Sequence, residues 1–454
     1  MTSPINRALG TAHAAGQISD ESPNAGRLRM MGITLGLLFV LFVAADYLFR
    51  PTFVSINVDS DETSRATPMM VSAIHLFVQF AVALPILRIV MIDRIDLRRL
   101  YPYTLACGAV LFFGIISLIA HPETKASVNL ITLAWSFAIF GLLAASDYGR
   151  GLCIRDAFAA ISIGSGILLV VVAVEAEYSW GRLAGRVGPN YWGMISFIAF
   201  VTSFALPRWW QRLPLWVAAI YVLDQTSARG SLLALIISGG VVYALSVWHA
   251  PRRRRGWIIL PLIALAILLP IIVPIVAVDV LMLDDARRGV GSGGTGRSIA
   301  WGQAFALFKA HPWLGVGFRQ HRQYITIASS AHNAYLAALA EIGLPGLIAY
   351  LCFLFGATVG AVRRALRQSE IYLAAVAGFF VSYILFGLIE SIWLTLGSPL
   401  PFLMVLLAAQ AWTGSRSDED RSKRGVHLHP PTPRGPQPRV GPESHRRIKI
   451  GRTA

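Results

Sequence analysis

Charge is scarce in this chain, cysteine is scarcer, and one long stretch contains no acid at all. Of 454 residues only 14% are charged while 55% are hydrophobic. That balance is too apolar for a water-soluble domain and is typical of a multi-span membrane protein. Of the three cysteines, Cys107 and Cys352 fall in apolar runs and Cys153 in a short loop. Neither a disulfide framework nor a zinc motif is indicated. No run alternates apolar and polar residues as a half-exposed strand would, so the expected fold is all-α.

What is present is a series of long apolar runs. A helix needs roughly 20 apolar residues to cross the hydrocarbon core. Runs near 31–49, 69–92, 101–120, 127–146, 156–174 and 190–206 approach that length, and six more follow near 213–228, 231–248, 257–278, 344–362, 371–394 and 399–413. The reading is a polytopic membrane protein of about twelve transmembrane helices. Residues 1–30 and 414–454, rich in Pro, Ser, Gly and Arg, read as disordered cytoplasmic tails. The domain layout is then helices one to nine over 31–278, a large outer loop over 279–331, and helices ten to twelve with their lead-in over 332–413. "LFVAA" has the look of a signal-peptide end, but the polar tail before it favours a retained first span.

The net charge of +16 suggests nucleic acid until the positions of the cations are read. With the N-terminus in the cytoplasm, 28 of the 40 Lys and Arg residues fall inside, including Arg252 to Arg255 and the basic tail. The positive-inside rule is obeyed loop by loop, so the charge reports topology and nucleic acid is excluded as a partner. The bilayer itself is the first partner. Both termini are then expected in the cytoplasm and the 279–331 loop on the outer side of the membrane.

That loop is too aromatic to be disordered. Trp301, Phe305 and Phe308 fall on one helical face, Pro312 closes the helix, and Gly315-Val316-Gly317 follows as a turn. The pattern fits a helix lying at the outer interface or packing onto the bundle. Between Asp285 and Glu341 there is no Asp or Glu, yet the stretch holds Arg287, Arg288, Arg297, Lys309, Arg319 and Arg322. Guanidinium suits phosphate oxygens better than ammonium, so an anionic partner is expected. Arg229 in "DQTSARGS" and Arg186 in "GRVGPNYWG" stand at outer ends of spans, where ionisable groups are costly and usually functional. "GSGGTGRS" imitates a nucleotide-binding loop, but it follows a membrane span rather than a strand. The stretch between Asp285 and Glu341 has no carboxylate to offer Mg²⁺ or Ca²⁺, and no metal or other cofactor is expected.

"SSAHNAYLAALAEIGLPG", residues 329–346 at the end of this loop, opens an apolar helix with an imidazole. Ser330 reads as its N-cap, which puts His332 in the first turn. Positive potential there disfavours a second positive charge, leaving His332 able to accept a proton. Twelve residues from Ala331 to Ile342 make a helix about 18 Å long, too short to cross. Gly343-Leu-Pro345-Gly346 breaks it from the next span.

His-Asn, nine residues, Gly, two residues and Gly, as in "HNAYLAALAEIGLPG", resembles the signature of the O-antigen ligase family, which includes O-antigen and exopolysaccharide polymerases. "GTGRSIAWGQAFALFKAHPWLGVGF" is similar to the stretch that precedes that signature. "TSARGSLLAL" resembles the family's Ser-Arg-Gly motif, although Ala228 separates Ser227 from Arg229, and "GPNYWG", with Asn190, resembles its Pro-Asn motif. The resemblance implies a membrane glycosyltransferase of the GT-C type in the bacterial inner membrane, with a periplasmic active site, that takes its sugar from undecaprenyl diphosphate and inverts the anomeric carbon without metal. By that resemblance Arg297 and Arg229 hold the diphosphate and His332 orients or deprotonates the acceptor hydroxyl. Asn333 stands beside it, and Arg186, Asn190, Arg287, Arg288, Arg319 and Glu341 are further substrate-binding candidates. The acceptor is a second lipid-linked saccharide, the lipid A core or a protein hydroxyl, with a chain-length regulator as an additional partner. "GRSIAW" followed by "AHNAYL" favours a polymerase. The rival from another class is a lipid-linked sugar flippase or transporter, which requires ionisable groups along a mid-membrane path. The spans hold few, among them Asp46, His75 and Glu390.

Overall fold

The computed structural model describes residues 24–49, 69–149, 152–179, 181–251, 297–326 and 330–425. The chain divides into two compact units, Met1–Ser415 and Arg416–Ala454. The tails, the expected ninth span at 257–278, and Arg287 and Arg288 lie wholly or largely outside the described residues.

In chain order the helices are α1 (Ala25–Phe49), α2 (Met69–Ala81), α3 (Ala83–Ile92), α4 (Tyr101–Ala120), α5 (Thr124–Ala145) and α6 (Leu152–Glu175). After a hairpin come α7 (Pro189–Ser203), α8 (Trp209–Thr226), α9 (Arg229–His249), α10 (Arg297–Ala310), α11 (Ala334–Arg367), α12 (Ile371–Phe386) and α13 (Pro399–Gly425). Seven helices among the described residues are long and apolar enough to cross a membrane, with Val71–Ile92 counted as one, and the apolar helices Ile371–Phe386 and Pro399–Thr413 are shorter. The chain is an all-α polytopic membrane protein. The one span expected over 69–92 is split into α2 and α3 at Val82. Pro85 explains the split, since it has no N–H for the carbonyl of Ala81 and its ring crowds that carbonyl.

Three expectations need correction. The span expected over 371–394 ends as a helix at Phe386, and residues 387–398 turn instead. Glu390 is therefore in a turn and not inside a span. Cys153 is buried in the first turn of α6 rather than in a loop. A hairpin of two-residue strands, β1 (Tyr178–Ser179) and β2 (Arg182–Leu183), joins α6 to α7.

The packing separates inner from outer helices. α12 buries residues on every side, from Tyr372 to Phe386, as a helix apolar all round does at the centre of a bundle. α9 and α11 pack against it. α4 instead exposes Leu105, Phe112, Ile115 and Ile119, a face for lipid. Lipid tails are as apolar as these side chains, so association here depends on close packing and hydrogen bonds rather than on escape from water. Asp46 and His75, two of the ionisable groups within the spans, approach each other at 3.4 Å, and His75 stacks on Phe42 with ring centres 4.0 Å apart.

Candidate active site

The break in α11 organises the site. Gly343 leaves the helix with φ 70° and ψ −175°, and Pro345 supplies no N–H for the carbonyl of Glu341. Carbonyls freed in this way need partners when buried. The segment after α10 provides them. Val316 N–H donates to Ala340 O (2.8 Å), Gly317 N–H to Glu341 O (3.2 Å), and Leu344 N–H to Pro312 O (2.9 Å). The Ser117 hydroxyl of α4 adds a bond to Glu341 O at 2.7 Å. Glycine is required at both faces of this joint. A Cβ on Gly315 would stand 2.3 Å from the backbone of Glu341, and one on Gly343 would stand 2.3 Å from Trp313 O.

This joint fixes α10 and the start of α11. α10 buries Ala300 and Ala304, whereas Trp301 and Phe305 face outward. The aromatic face is thus open, and the small-residue face packs on α11.

At the start of α11 every residue of His-Asn-Ala-Tyr has a distinct structural task. The cap is Asn333, not Ser330. Its Oδ1 accepts from the N–H groups of Tyr335 (3.0 Å) and Leu336 (2.9 Å). Ser330 instead accepts the N–H of His332 at 3.3 Å. The expected position of His332 in the first helical turn is therefore corrected: it precedes the helix, in a left-handed conformation with φ 45°. Asn and Ser are comparable caps, and the one adjacent to the helix takes the role. Asn333 also donates through Nδ2 to Leu388 O (3.1 Å) and through its N–H to the Ser391 hydroxyl (3.2 Å). Ala334 N–H donates to Gly387 O at 2.7 Å, and the Tyr335 hydroxyl to Ile384 O at 2.6 Å. These bonds tie the 387–391 turn to His332.

The turn presents Glu390, on which groups from three distant parts of the chain converge. His332 Nδ1 lies 3.4 Å from Oε2, Arg297 Nη2 donates to Oε1 at 3.3 Å, and Asn190 Nδ2 to Oε1 at 3.4 Å. Arg182 extends the group. It donates to Asn190 Oδ1 (3.1 Å) and to Thr226 O (2.7 Å), the residue just before the left-handed Ser227 and shortly before the start of α9 at Arg229. α9 touches the same turn, because Ile389 Cδ1 is so near Gly230 that a Cβ there would meet it at 2.7 Å. The Arg297, Glu390 and His332 side chains are 28%, 18% and 24% exposed, so the cluster is sheltered yet reachable.

The other candidates lie apart from Glu390. Arg186 stacks over Tyr47, 5.4 Å from its ring centre, and its buried Nε has no hydrogen-bond partner among the described residues. Arg319 adopts φ 65° and donates to the Thr395 hydroxyl. Burial lowers its pKa from the usual arginine value, against the opposing pull of Glu341 and Glu123. Glu341 is wholly buried and paired with His321. Glu390 and Arg182 were not assigned from the sequence. Glu390 is 58 residues from His332 and 93 from Arg297, so no local spacing betrays it. No group of three or more His, Cys, Asp or Glu among the described residues could hold a metal ion.

Chemically, the cluster combines cations, a carboxylate and an imidazole. Facing an ionised Glu390, a neutral His332 ring donates through Nδ1, which leaves the Nε2 lone pair for an incoming proton.

Two comparisons bear on this geometry. The family model for O-antigen ligase matches residues 213–351, a stretch of less than half of the chain that contains Arg229, Arg297, His332, Asn333 and Glu341. The match agrees with the family resemblance carried by the sequence motifs and supports a membrane glycosyltransferase of the ligase and polymerase type. No curated protein matches the chain.

Proposed function

We propose that the chain transfers an oligosaccharide from undecaprenyl diphosphate to an acceptor hydroxyl at the periplasmic face, with Arg297, Arg229, His332 and Glu390 at the reacting centre. The observation that carries this reading is the convergence of Arg297 and His332 on Glu390 beside the start of α9.

The acceptor oxygen attacks the anomeric carbon from the face opposite the diphosphate, and its proton passes to Nε2 of His332. The bond from carbon to phosphate oxygen breaks, and the lipid diphosphate leaves with the electron pair. Arg297 and Arg229 offset the charge that develops on it, the largest kind of contribution in such sites. The imidazolium formed at His332 is stabilised by Glu390 through Nδ1.

Contacts to Glu390 of 3.3–3.4 Å exceed the roughly 2.7–2.9 Å of tight charge-assisted bonds. A loosely held carboxylate gives way when a diphosphate competes for Arg297. Glu390 is in this reading a placeholder anion for the acid-free stretch between Asp285 and Glu341. No metal or cofactor enters the step.

Among acceptors, a second lipid-linked saccharide is favoured by "GRSIAW" and "AHNAYL", which makes the chain a polymerase. The test uses proteoliposomes with lipid-linked oligosaccharide as sole substrate, comparing wild type with His332→Ala. Longer lipid-linked chains made only by wild type establish the polymerase. Transfer that begins only on addition of lipid A core or an acceptor peptide assigns a ligase or a protein transferase. Movement of donor across the bilayer with no product under any condition overturns the enzyme reading in favour of a flippase.

A further inference from the structure

Three arginines from three elements line one cavity of about 380 Å³ at the other end of the bundle. α1 and α6 run side by side in the same direction, which identifies the two ends. Near their starts Arg29 Nε lies 3.9 Å from Asp156 Oδ1. Near their far ends Tyr47 meets Trp192 edge to face, and Trp192 Nε1 donates to Ala184 O, just after the hairpin whose Arg182 contacts Asn190. The arginine distribution assigns the cavity end to the cytoplasm.

Arg29, Arg155 and Arg212 supply the cations of this cavity, and Asp156 and Glu370 its anions. One of the two carboxylates is already engaged, since Asp156 accepts from the Tyr148 hydroxyl at 2.9 Å and faces Arg29. Arg212 is held in place. Its Nε and Nη2 both donate to Leu206 O, at 2.9 and 2.6 Å, and its guanidinium lies 5.7 Å over Phe204. That arrangement leaves Nη1 for a ligand. Ala159, Phe204 and Ile371 give the cavity an apolar wall. Beside it Trp209 and Trp210 are 69% and 52% exposed, with Arg208 over the Trp210 ring. Exposed tryptophans of this kind sit at headgroup depth. The volume falls within the range of small-ligand sites.

We infer that this cavity is a phosphate-binding site held by Arg29, Arg155 and Arg212, filled by the headgroup of an anionic phospholipid. Basic pockets between helices at the cytoplasmic face recognise such headgroups. The apolar wall suits the adjoining acyl chain, which a free phosphate lacks. The site shares no residue with the Glu390 cluster, so it stands or falls independently of glycosyl transfer.

Native mass spectrometry of the purified full-length protein tests this, with titrations of phosphatidylglycerol, phosphatidylcholine and inorganic phosphate. Wild type is expected to retain phosphatidylglycerol in preference to phosphatidylcholine. Arg155→Gln, a change at an exposed side chain, should weaken phosphatidylglycerol binding about fivefold. Glu370→Gln removes an anion from the wall and should tighten it. Phosphatidylglycerol that resists millimolar inorganic phosphate identifies the lipid as the source, whereas displacement identifies a soluble phosphate. Equal retention of the two lipids, or an affinity unchanged in both variants, overturns the site.

Discussion

His321 donates its Nδ1 proton to the carboxylate of Glu341 in surroundings where the two side chains are 1% and 0% exposed. The other ring nitrogen of His321 faces the N–H of Ala331 at 3.5 Å, one residue before His332. The pair therefore ties the broken helix α11 to the segment that carries the candidate base. It also separates Glu341 from the Glu390 cluster, although the sequence suggested a substrate contact for both Asn190 and Glu341.

Breaking such a buried pair leaves an uncompensated polar group. Glu341→Ala is expected to lower stability by about 3–5 kcal/mol, read as a depressed melting temperature in detergent. Were Glu341 a substrate ligand alone, the melting temperature would hold and only KM would rise.

Loss of Glu390 should act on chemistry. Glu390→Gln keeps the shape of the side chain but removes the charge facing His332 and Arg297. Transfer is expected to fall by about 10²–10⁴-fold in kcat, the range for a disabled general base. A single-turnover assay in proteoliposomes with size-exclusion as a folding control reads this. Wild-type kcat in the variant would remove Glu390 from the mechanism.

Arg297→Ala is expected to reduce kcat by about 10²–10³-fold, as loss of one charge-stabilising donor does, while the protein stays in the membrane. Arg322, exposed in the same loop, offers the comparison. Arg322→Ala should change the rate much less, and any effect should fade at high salt, since exposed charges are screened.

Asn333 is a structural residue by its contacts, whatever else it does. Asn333→Ala removes the cap and the bond to Leu388 O, at a combined cost of about 2 kcal/mol. Asn333→Asp retains the capping oxygen and should recover about half of that loss in a chemical or thermal melt. Equal destabilisation by both variants would show that the cap contributes nothing.

Much of the fold was legible because a membrane helix needs a long apolar run, and apart from the span at 257–278 each expected run overlaps a described helix, the run at 69–92 being divided between α2 and α3. The break in α11 was equally legible, since Gly343 and Pro345 are both poor helix residues. The end of α12 at Phe386 was not: the apolar run continues through Leu388 and Ile389, and hydropathy alone cannot tell a buried turn from a helix. The hairpin at 178–183 was too short to leave a periodic signal. At the candidate site the cations were visible as an acid-free stretch, but their carboxylate was not. Glu390 reaches them only because Asn333, Ala334 and Tyr335 hold its turn, a relation between segments far apart in the chain.

The joint between the Pro312–Gly317 segment and the broken helix has a consequence for dynamics. The amides of Val316 and Gly317 belong to a connection between elements, where rapid exchange with deuterium is the rule. Here they donate to carbonyls of a membrane helix, and releasing them requires opening that helix at its break. Their exchange is therefore expected to be as slow as that of the neighbouring α11 amides, so that the connection and the helix loosen together, as one cooperative unit.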